Sequence, residues 1–285
     1  MIALRLGLVG RDIAHSLSPD LHQAALSAMG LGGSYRLIDC PDEAAARAAI
    51  AELRAGGWDG LNVTTPYKAL AAEACDMEGA AVNTLWRAEG RLAGCSTDGV
   101  GLLAALASVG VDVQQMSVGL LGTGGAALAI AEALRHHGAR VDFVAGRSPE
   151  AAAAIAERCD ARALTFGAIA AQDVRLMIHC SRLGHGVVGD GAADAEAAAT
   201  LAQVFGPGPG RGLYVDIVYA RQGETLFERA GRQAGARVVP GVGLRMLIAQ
   251  AAASFARFAG HEPPLLPMAR AVGVAWSAPS ATHQL

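Results

Sequence analysis

The sequence predicts an α/β fold with two units, each a mainly parallel sheet covered by helices. Three observations lead to this expectation. Short apolar runs alternate with Ala-rich stretches over the first hundred residues, and a second alternation of this kind begins at Val118. Such a β-α-β rhythm is typical of parallel sheets. The chain also has 285 residues, of which 52% are hydrophobic, which is enough to bury two cores.

The first alternation contains three expected strands, a hairpin and several helices. Two helix starts can be recognised from their residues. Ser18 precedes a proline, which suits the first helical turn, and Asp42 follows Pro41 as a capping side chain. Two apolar runs flank Glu89-Gly90, a pair suited to a hairpin turn, and a helix over Gly99–Ser108 leads out of the region. The strands are expected at Ile2–Val9, Tyr35–Ile38 and Leu61–Thr64, the hairpin at Val82–Trp86 with Leu92–Cys95, and the other helices after Pro19 and over Glu43–Arg54.

The second alternation opens with a strand at Val118–Leu121, a Gly-rich turn and a helix that reaches about His137. A long helix is expected from Gly243 to about Phe258, and a further helical piece after Pro263-Pro264. The Gly- and Pro-rich segment Gly206–Gly212 is expected to be a connection, since it suits neither helix nor central strand. The remaining strands are expected at Val141–Ala145, Leu176–Ile178, Tyr214–Val218 and Arg237–Val239.

Charge and cysteine usage exclude several classes of partner. The net charge is -3, without the clustered Lys and Arg that a nucleic-acid binder needs. The chain has no apolar run long enough to span a membrane, and its start lacks the basic region of a signal peptide. The five cysteines are scattered, with no C-x-x-C pair, as expected for reduced thiols. We therefore expect a cytoplasmic protein, monomeric or homodimeric, with a small-molecule partner.

The basic residues are almost all arginine. Of the 23 basic side chains, Lys68 is the only lysine. Arginine stays charged, whereas the ammonium of lysine can lose its proton near neutral pH when its surroundings favour this. A lone lysine in an arginine-rich chain therefore suggests a chemical role, although chance survival is the alternative.

The Gly-rich turn between strand and helix has the pattern of a dinucleotide-binding loop. Gly122 allows the tight turn, Gly124 lets the backbone approach a pyrophosphate, and Ala127 permits close helix packing. A loop used only for packing is the alternative. No acidic residue ends the next strand, where Arg147 and Ser148 follow instead. This favours NADP over NAD, because an arginine there can meet the 2′-phosphate.

Polar side chains cluster where the strands of the first unit end. Asn62 and Lys68 flank the exit of one expected strand, and open α/β sheets bind ligands at the carboxyl ends of their strands. Asp98 lies in the same half of the chain, as do the hydroxyls of Ser16 and Ser18. Each of these side chains could instead cap a helix or satisfy a turn, as Ser18 and Asp98 are placed to do.

Taken in order, these motifs resemble the shikimate dehydrogenase family from the first loop to the long C-terminal helix. Each motif alone is weak, but their order and spacing agree. The matching motifs are Ser16-Leu17-Ser18-Pro19, Asn62-Val63-Thr64 with Pro66 and Lys68, Ala81-Val82-Asn83-Thr84, Thr97-Asp98-Gly99, Gly122–Ala127, Val215-Asp216-Ile217-Val218-Tyr219, and Gly243 with Met246-Leu247, Gln250 and Ser254-Phe255.

The resemblance implies an organisation and an activity. It implies a substrate-binding domain of residues 1–102, completed by returning helices in residues 243–285, with a Rossmann-type NAD(P)-binding domain of residues 103–242 between them. The implied activity is NADP-dependent interconversion of 3-dehydroshikimate and shikimate, a step of aromatic biosynthesis. The implied catalytic pair is Lys68 with Asp98. The implied substrate-binding residues are Ser16 and Ser18 for the carboxylate, Asn62, Thr64, Asn83 and Gln250 for ring hydroxyls, and Tyr219; the implied cofactor-binding residues are Gly122, Gly124, Gly125, Ala126, Arg147, Ser148, Ser181 and Gly243.

Departures from the family pattern keep alternatives open. His179-Cys180-Ser181 and His185 stand where the family has an Asn-Ala-Thr-like stretch and a later methionine near the nicotinamide. The two histidines lack a carboxylate or thiol cluster to complete a metal site, so no metal is expected. The alternatives are a paralogue that oxidises quinate or another polyol carboxylate with NAD, a ligand sensor without catalysis, and a methylenetetrahydrofolate dehydrogenase of similar plan, against which the Ser16 and Ser18 loop argues.

Overall fold

The computed structural model describes residues 3–76, 81–181, 183–184, 192–205, 212–221 and 223–276. The chain divides into two compact units, one comprising Met1–Gly101 with Leu247–Leu285 and the other Leu102–Met246. The first unit is therefore discontinuous in sequence, and the second is continuous. The expected connection Gly206–Gly212 lies outside the described residues except for Gly212.

Two sheets account for the strands of the described chain. Strands and helices alternate along most of the chain, which gives the α/β fold that the sequence predicts. The strands are β1 (Ala3–Gly10), β2 (Gly32–Asp39), β3 (Gly60–Val63), β4 (Thr84–Ala88), β5 (Arg91–Cys95), β6 (Ser117–Leu121), β7 (Arg140–Ala145), β8 (Arg162–Leu164), β9 (Leu176–His179), β10 (Leu213–Asp216) and β11 (Arg237–Val238). The helices are α1 (Ser18–Ala28), α2 (Glu43–Ala55), α3 (Lys68–Ala74), α4 (Asp98–Ser108), α5 (Gly125–His136), α6 (Pro149–Cys159), α7 (Ala192–Ala202), α8 (Leu226–Gln233), α9 (Val242–Ala259) and α10 (Leu265–Ala271), with a 3₁₀ turn at Phe166–Ala171.

The sheet of the first unit has the order β2-β1-β3-β4-β5. Its first three strands are parallel, β4 pairs antiparallel with β3, and β5 pairs antiparallel with β4. The expected hairpin is confirmed, with Glu89 and Gly90 at φ values of 52° and 76° as a tight two-residue turn requires. Because β4 runs against its neighbours, the end of β3, the start of β4 and the end of β5 share one edge of the sheet. Asn62, Thr84 and Cys95 are register partners there.

Helices cover this sheet with two apolar clusters. One cluster joins the N-terminal strand and α1 to the returning helices α9 and α10, through side chains such as Leu6, Leu21, Phe255 and Met268. The other lies between the sheet and helices α2 and α3. Asp42 caps α2 as predicted, accepting the Ala45 N–H at 2.8 Å. The expected hydroxyl cap at Ser18 is wrong.

Helix α1 begins one residue earlier than that cap required. Its N-cap is Leu17, which makes no side-chain cap bond, and Ser18 is already the first helical residue. The Ser18 hydroxyl lies within hydrogen-bonding distance of Ser16 Oγ instead, at 3.1 Å. The Ser18 hydroxyl is therefore paired with a side chain of the preceding loop and not with a backbone N–H of α1.

The sheet of the second unit has the order β11-β10-β9-β6-β7-β8, and its paired strands are parallel. From β6 the chain moves outward through β7 and β8, then crosses to β9 on the other side of β6. The carboxyl ends of β6 and β9 therefore flank a point where the strand order reverses, the place where open α/β sheets bind ligands. No helix of the described residues is long and apolar enough to cross a membrane.

Candidate active site

Lys68 and Asp98 meet at the shared edge of the first sheet. Lys68 is the first residue of α3 and Asp98 the first residue of α4. Their side chains form an ion pair with Nζ 2.5 Å from Oδ2, and they are 17% and 9% exposed. The alternative role of Asp98 as a helix cap is thus replaced by a contact with the lone lysine. The pair is mostly buried but still reachable from solvent.

Asn83 holds the second oxygen of Asp98. Its Nδ2 donates to Asp98 Oδ1 at 2.9 Å, and the residue is buried. The amide is oriented from its other end, because Oδ1 accepts the Thr97 N–H at 2.9 Å and the Thr84 hydroxyl at 2.8 Å. Both carboxylate oxygens of Asp98 therefore have fixed partners, and Oδ2 faces the lysine.

The amide of Asn62 is held by the protein itself. Its Nδ2 lies 3.2 Å from Asn83 O and 3.1 Å from Thr84 Oγ1, while Oδ1 accepts the Tyr35 hydroxyl at 2.9 Å. Burial raises the pKa of Tyr35, so its hydroxyl remains a donor. Tyr35 stacks on His22 with ring centroids 4.1 Å apart, and burial lowers the pKa of His22 to about 3. Asn62 thus joins the site to the core.

The other predicted substrate residues lie in the same unit, with one exception. Thr64 directly follows β3, and its N–H donates to Val9 O at 2.9 Å. Gln250, on α9, lies with Oε1 3.2 Å from the Thr97 hydroxyl and so adjoins the Asn83 network. The loop of Ser16 and Ser18 lies ahead of α1. Tyr219 follows β10 in the second unit, and its predicted contact with substrate stays a prediction.

The Gly-rich turn of the second unit fits a dinucleotide. Gly122 has φ 141°, and a Cβ there would lie 2.5 Å from Cys180 O, so a larger residue is excluded. Gly124 is the N-cap of α5 without a side-chain cap bond, and a Cβ at Gly124 would meet nothing within 4 Å. The space beside Gly124 is therefore open, and the N–H groups of Gly125 and Ala126 in the first turn are the candidates to bind a phosphate there.

The predicted 2′-phosphate residues follow β7. Arg147 is exposed, which leaves its guanidinium accessible. Ser148 is the N-cap of α6, with Oγ accepting the Ala151 N–H at 3.1 Å and donating to Glu150 Oε2 at 2.8 Å. Its hydroxyl is thus already engaged. Of the two, Arg147 is the residue free to meet a phosphate.

His179, the last residue of β9, is buried next to the end of β6, where the Gly-rich turn begins. His179 Nδ1 lies 2.8 Å from Asp216 Oδ1, and Nε2 lies 2.6 Å from Ser181 Oγ. His179 and Asp216 are 0% and 1% exposed. From the sequence, His179 was noted as a departure from the family pattern and was not expected to bind a metal, and in the structure both of its nitrogens have protein partners. Its other candidate partner, His185, lies outside the described residues.

The remaining predicted cofactor residue is Gly243. It is the second residue of α9, and a Cβ there would lie 2.2 Å from Val218 O. The backbone after β10 thus runs directly against the start of this helix. A side chain at position 243 would separate the two segments.

Comparisons with known proteins agree with this geometry. A model of the shikimate dehydrogenase substrate binding domain matches residues 8–85, and one of the shikimate 5'-dehydrogenase C-terminal domain matches residues 243–272. A shikimate dehydrogenase (NADP(+)) of Thermus thermophilus is 36% identical over 266 residues, covering 91% of this chain and 94% of that protein.

Solved structures of dehydrogenases are similar in fold to this chain. A shikimate 5-dehydrogenase from Thermus thermophilus, in complex with NADP(H) and shikimate, superposes with a TM-score of 0.77 at 33% identity, covering 94% of this chain and 98% of that one. A quinate dehydrogenase from Corynebacterium glutamicum, in complex with NAD, gives a TM-score of 0.75 at 26% identity, with 95% and 99% covered.

Proposed function

The chain belongs to the shikimate dehydrogenase family, and on that premise we propose that it catalyses the reversible NADP-dependent reduction of 3-dehydroshikimate to shikimate. The observation that carries the proposal is the Lys68–Asp98 pair at the ligand-binding edge of the first sheet. It supplies one group able to exchange a proton and a carboxylate that fixes its position. NADP, when bound, supplies the hydride acceptor for the alcohol or, when reduced, the hydride donor for the ketone.

Lys68 moves the proton in this reaction. Oxidation of a secondary alcohol requires a base for the hydroxyl proton, and the reverse direction requires an acid. Lys68 Nζ, held in place by Asp98 at a partly exposed site, is positioned to pass a proton between the substrate hydroxyl and solvent. Arginine is too basic for this exchange. Asp98 accepts a hydrogen bond from the substrate hydroxyl or from Lys68, and Asn83 keeps its carboxylate in place.

Hydroxyl and amide groups bind the substrate in this proposal. Ser16 and Ser18 bind the ring carboxylate, because two hydroxyls 3.1 Å apart can donate to the two oxygens of one carboxylate. Ring hydroxyls contact Thr64, Asn83 and Gln250. Asn62 contributes chiefly by orienting its neighbours, since its Nδ2 already has two partners within the protein, whereas Asn83 Nδ2 uses one of its two N–H groups for Asp98. Tyr219 is assigned to the substrate by the resemblance alone.

In this proposal the two units bind different ligands. Residues 1–102 with 243–285 bind the substrate, and residues 103–242 bind NADP. The Gly-rich turn and the uncapped start of α5 hold the pyrophosphate, and Arg147 selects the 2′-phosphate. Ser181 and Gly243 complete the cofactor side, Gly243 being within the compact second unit Leu102–Met246 although it begins the returning segment.

Oxidation of quinate with NAD is the second candidate. The observation that favours it is Glu150, whose carboxylate lies 2.8 Å from Ser148 Oγ and would repel a 2′-phosphate at that position. The fold is shared with an NAD-bound quinate dehydrogenase. Whether NADP or NAD is used therefore depends on which charge, that of Arg147 or Glu150, faces the adenosine ribose.

Steady-state turnover of shikimate and quinate, each with NADP and with NAD, tests the proposal. The expected result is the highest kcat/KM for shikimate with NADP. A higher value for quinate with NAD would replace the first candidate by the second. Shikimate binding by calorimetry without turnover under any pairing would indicate a ligand sensor and overturn both.

A further inference from the structure

Ser181 belongs to a chain of hydrogen bonds that begins deep in the second unit. The Glu228 N–H donates to Thr225 Oγ1 at 3.2 Å, and the Thr225 hydroxyl donates to Asp216 Oδ2 at 2.6 Å. Asp216 Oδ1 accepts the Val218 N–H at 2.9 Å and faces His179 Nδ1 at 2.8 Å. His179 then faces Ser181 Oγ through Nε2. The chain ends at the partly exposed hydroxyl of Ser181.

The tautomer of His179 sets the direction of the hydrogen bonds at both ring nitrogens. A carboxylate is an acceptor only, so the His179 proton must lie on Nδ1, where Asp216 accepts it. Nε2 of the neutral ring is then an acceptor, and the Ser181 hydroxyl must donate to it. His179 cannot turn away, because its ring is fully buried and stacks on Phe227 with centroids 4.8 Å apart. Ser181 thus has no proton left for a ligand.

Ser181 lies beside the proposed pyrophosphate loop. It follows β9, next to β6 in the sheet, and a Cβ on Gly122 would come within 2.8 Å of Ser181 N. Arg147 follows β7, on the far side of β6 from β9. A dinucleotide lies across such a reversal point with one mononucleotide on each side. If Arg147 faces the adenosine half, Ser181 faces the nicotinamide half.

We propose that Asp216 and His179 fix the Ser181 hydroxyl as a hydrogen-bond acceptor, which receives a donor group from the nicotinamide mononucleotide half of the cofactor. Two such donors exist, the carboxamide NH₂ and a ribose hydroxyl. His179 acts as a positioning residue, because it acts on the cofactor through Ser181. The inference rests on the proposed function for the presence of a nicotinamide cofactor, and it adds the polarity of this contact.

The same side chains have the order of a serine hydrolase triad, but a nucleophilic role does not fit. Ser181 Oγ also accepts the Leu183 N–H at 3.1 Å, and this bond withdraws electron density from the oxygen that would attack. It also leaves Oγ with a single free lone pair, which suits one incoming donor. The arrangement is therefore better suited to receiving a hydrogen bond than to attacking a carbonyl.

Two variants separate the acceptor from the residue that fixes it. Ser181→Ala removes the acceptor. His179→Asn keeps a donor near the position of Nδ1 for Asp216, but the asparagine side chain ends there and does not reach Ser181, so the hydroxyl becomes free to donate. Ser117→Ala is the matched control, since Ser117 Oγ also accepts a backbone N–H, that of Arg175 at 3.0 Å, at the opposite end of β6.

The measurement is the Kd of NADP and of its 3-acetylpyridine analogue, in which a methyl group replaces the carboxamide NH₂, by calorimetry without substrate. For a carboxamide contact, Ser181→Ala weakens NADP about 2- to 10-fold, as loss of one neutral hydrogen bond does, and leaves the analogue unchanged. His179→Asn instead improves the analogue, because Ser181 can now donate to its carbonyl. Both variants reduce the preference for NADP over the analogue, Ser181→Ala by weakening NADP binding and His179→Asn by strengthening analogue binding.

Other outcomes are equally informative. Equal weakening of both ligands by Ser181→Ala, with Ser117→Ala unchanged and unaltered thermal unfolding, supports the acceptor role with a ribose hydroxyl as the donor. If Ser181→Ala binds both ligands like the parent protein, the inference is overturned. Absence of NADP binding by the parent protein would instead overturn the proposed function itself, which distinguishes the two failures.

Discussion

Each unit pairs a carboxylate with a nitrogen base at the carboxyl edge of its sheet, but the two pairs differ in access to solvent. Lys68 and Asp98 are 17% and 9% exposed, and each begins a helix. His179 and Asp216 are 0% and 1% exposed and are register partners on adjacent strands β9 and β10. The first pair is carried on helix starts, whereas the second is built into the sheet.

The difference in exposure to solvent indicates which chemical role each pair can have. A base that exchanges protons with a substrate needs access, which the Lys68–Asp98 pair retains. The buried pair cannot reach a ligand, so its influence passes through Ser181. A carboxylate beside a base therefore does not by itself mark the catalytic centre; the exposure of the pair decides between proton transfer and positioning.

The largest expected effect is on the exposed pair. Lys68→Arg keeps the charge and most of the length but replaces the amine with a guanidinium that is too basic to transfer a proton, so kcat should fall about 10²- to 10⁴-fold. Substrate KM and the thermal unfolding temperature should change little. Asp98→Asn should also be slow, and the double variant should be less impaired than the product of the two effects. A Lys68→Arg enzyme with near-normal kcat would leave Lys68 as a charge anchor.

Breaking the buried pair should instead affect folding. Asp216→Ala leaves the Val218 N–H, the Thr225 hydroxyl and His179 Nδ1 without their acceptor, at a cost of about 3 kcal/mol or more in the free energy of unfolding. Urea unfolding measures this cost. Asp142→Ala is the control, because its partner Arg140 is 77% exposed and such surface pairs contribute about 1 kcal/mol or less. Equal losses in both variants would refute the distinction between the pairs.

A smaller effect is expected on cofactor choice. Arg147→Asp exchanges attraction for repulsion at the proposed 2′-phosphate position and should shift the NADP to NAD ratio of kcat/KM by about 10- to 100-fold, corresponding to one charged contact of about 1.5–3 kcal/mol. Arg36→Asp, at an exposed arginine on β2, serves as the control. An unchanged ratio would assign 2′-phosphate selection to another residue and would favour the candidate based on Glu150.

The smallest effect concerns the substrate carboxylate. Ser16→Ala and Ser18→Ala should raise substrate KM by about 10-fold each while kcat changes less, because the carboxylate is bound equally in ground and transition states. Ser27→Ala, at an exposed position on the same helix as Ser18, should have no effect. A fall in kcat at constant KM would contradict the carboxylate role. Since Ser18 does not cap α1, its loss should not destabilise that helix.

Local patterns in the sequence predicted most of the elements that position the site. Strand β1, helix α2 and the β4–β5 hairpin lie within one residue or two of their expected bounds, because apolar alternation and turn residues determine them locally. Strand β8 and helix α8 were not expected. Strand β8 has three residues, too few for a pattern, and α8 has only eight residues, which is about two helical turns.

The sequence predicted that Lys68 and Asp98 act as a pair, and the two are in contact, but it did not predict the contact between His179 and Asp216. Lys68 was singled out because it is unique, and Asp98 by the family motif. The His179–Asp216 pair joins positions 37 residues apart, so it requires the sheet register that the sequence does not state. The spacing of His179 and Ser181, two residues apart at a strand end, was the available signal, since side chains i and i+2 share a face.

The discontinuity of the first unit has a consequence for the order in which the protein folds during synthesis. Its core packs Leu6 and Leu21 against Phe255 and Met268, so this cluster cannot close until almost the whole chain has left the ribosome. The second unit is encoded without interruption between Leu102 and Met246 and has its own core, so it can fold first. Until then the apolar faces of β1 and α1 lack the C-terminal side chains that cover them, so they are the part of the nascent chain most exposed to aggregation.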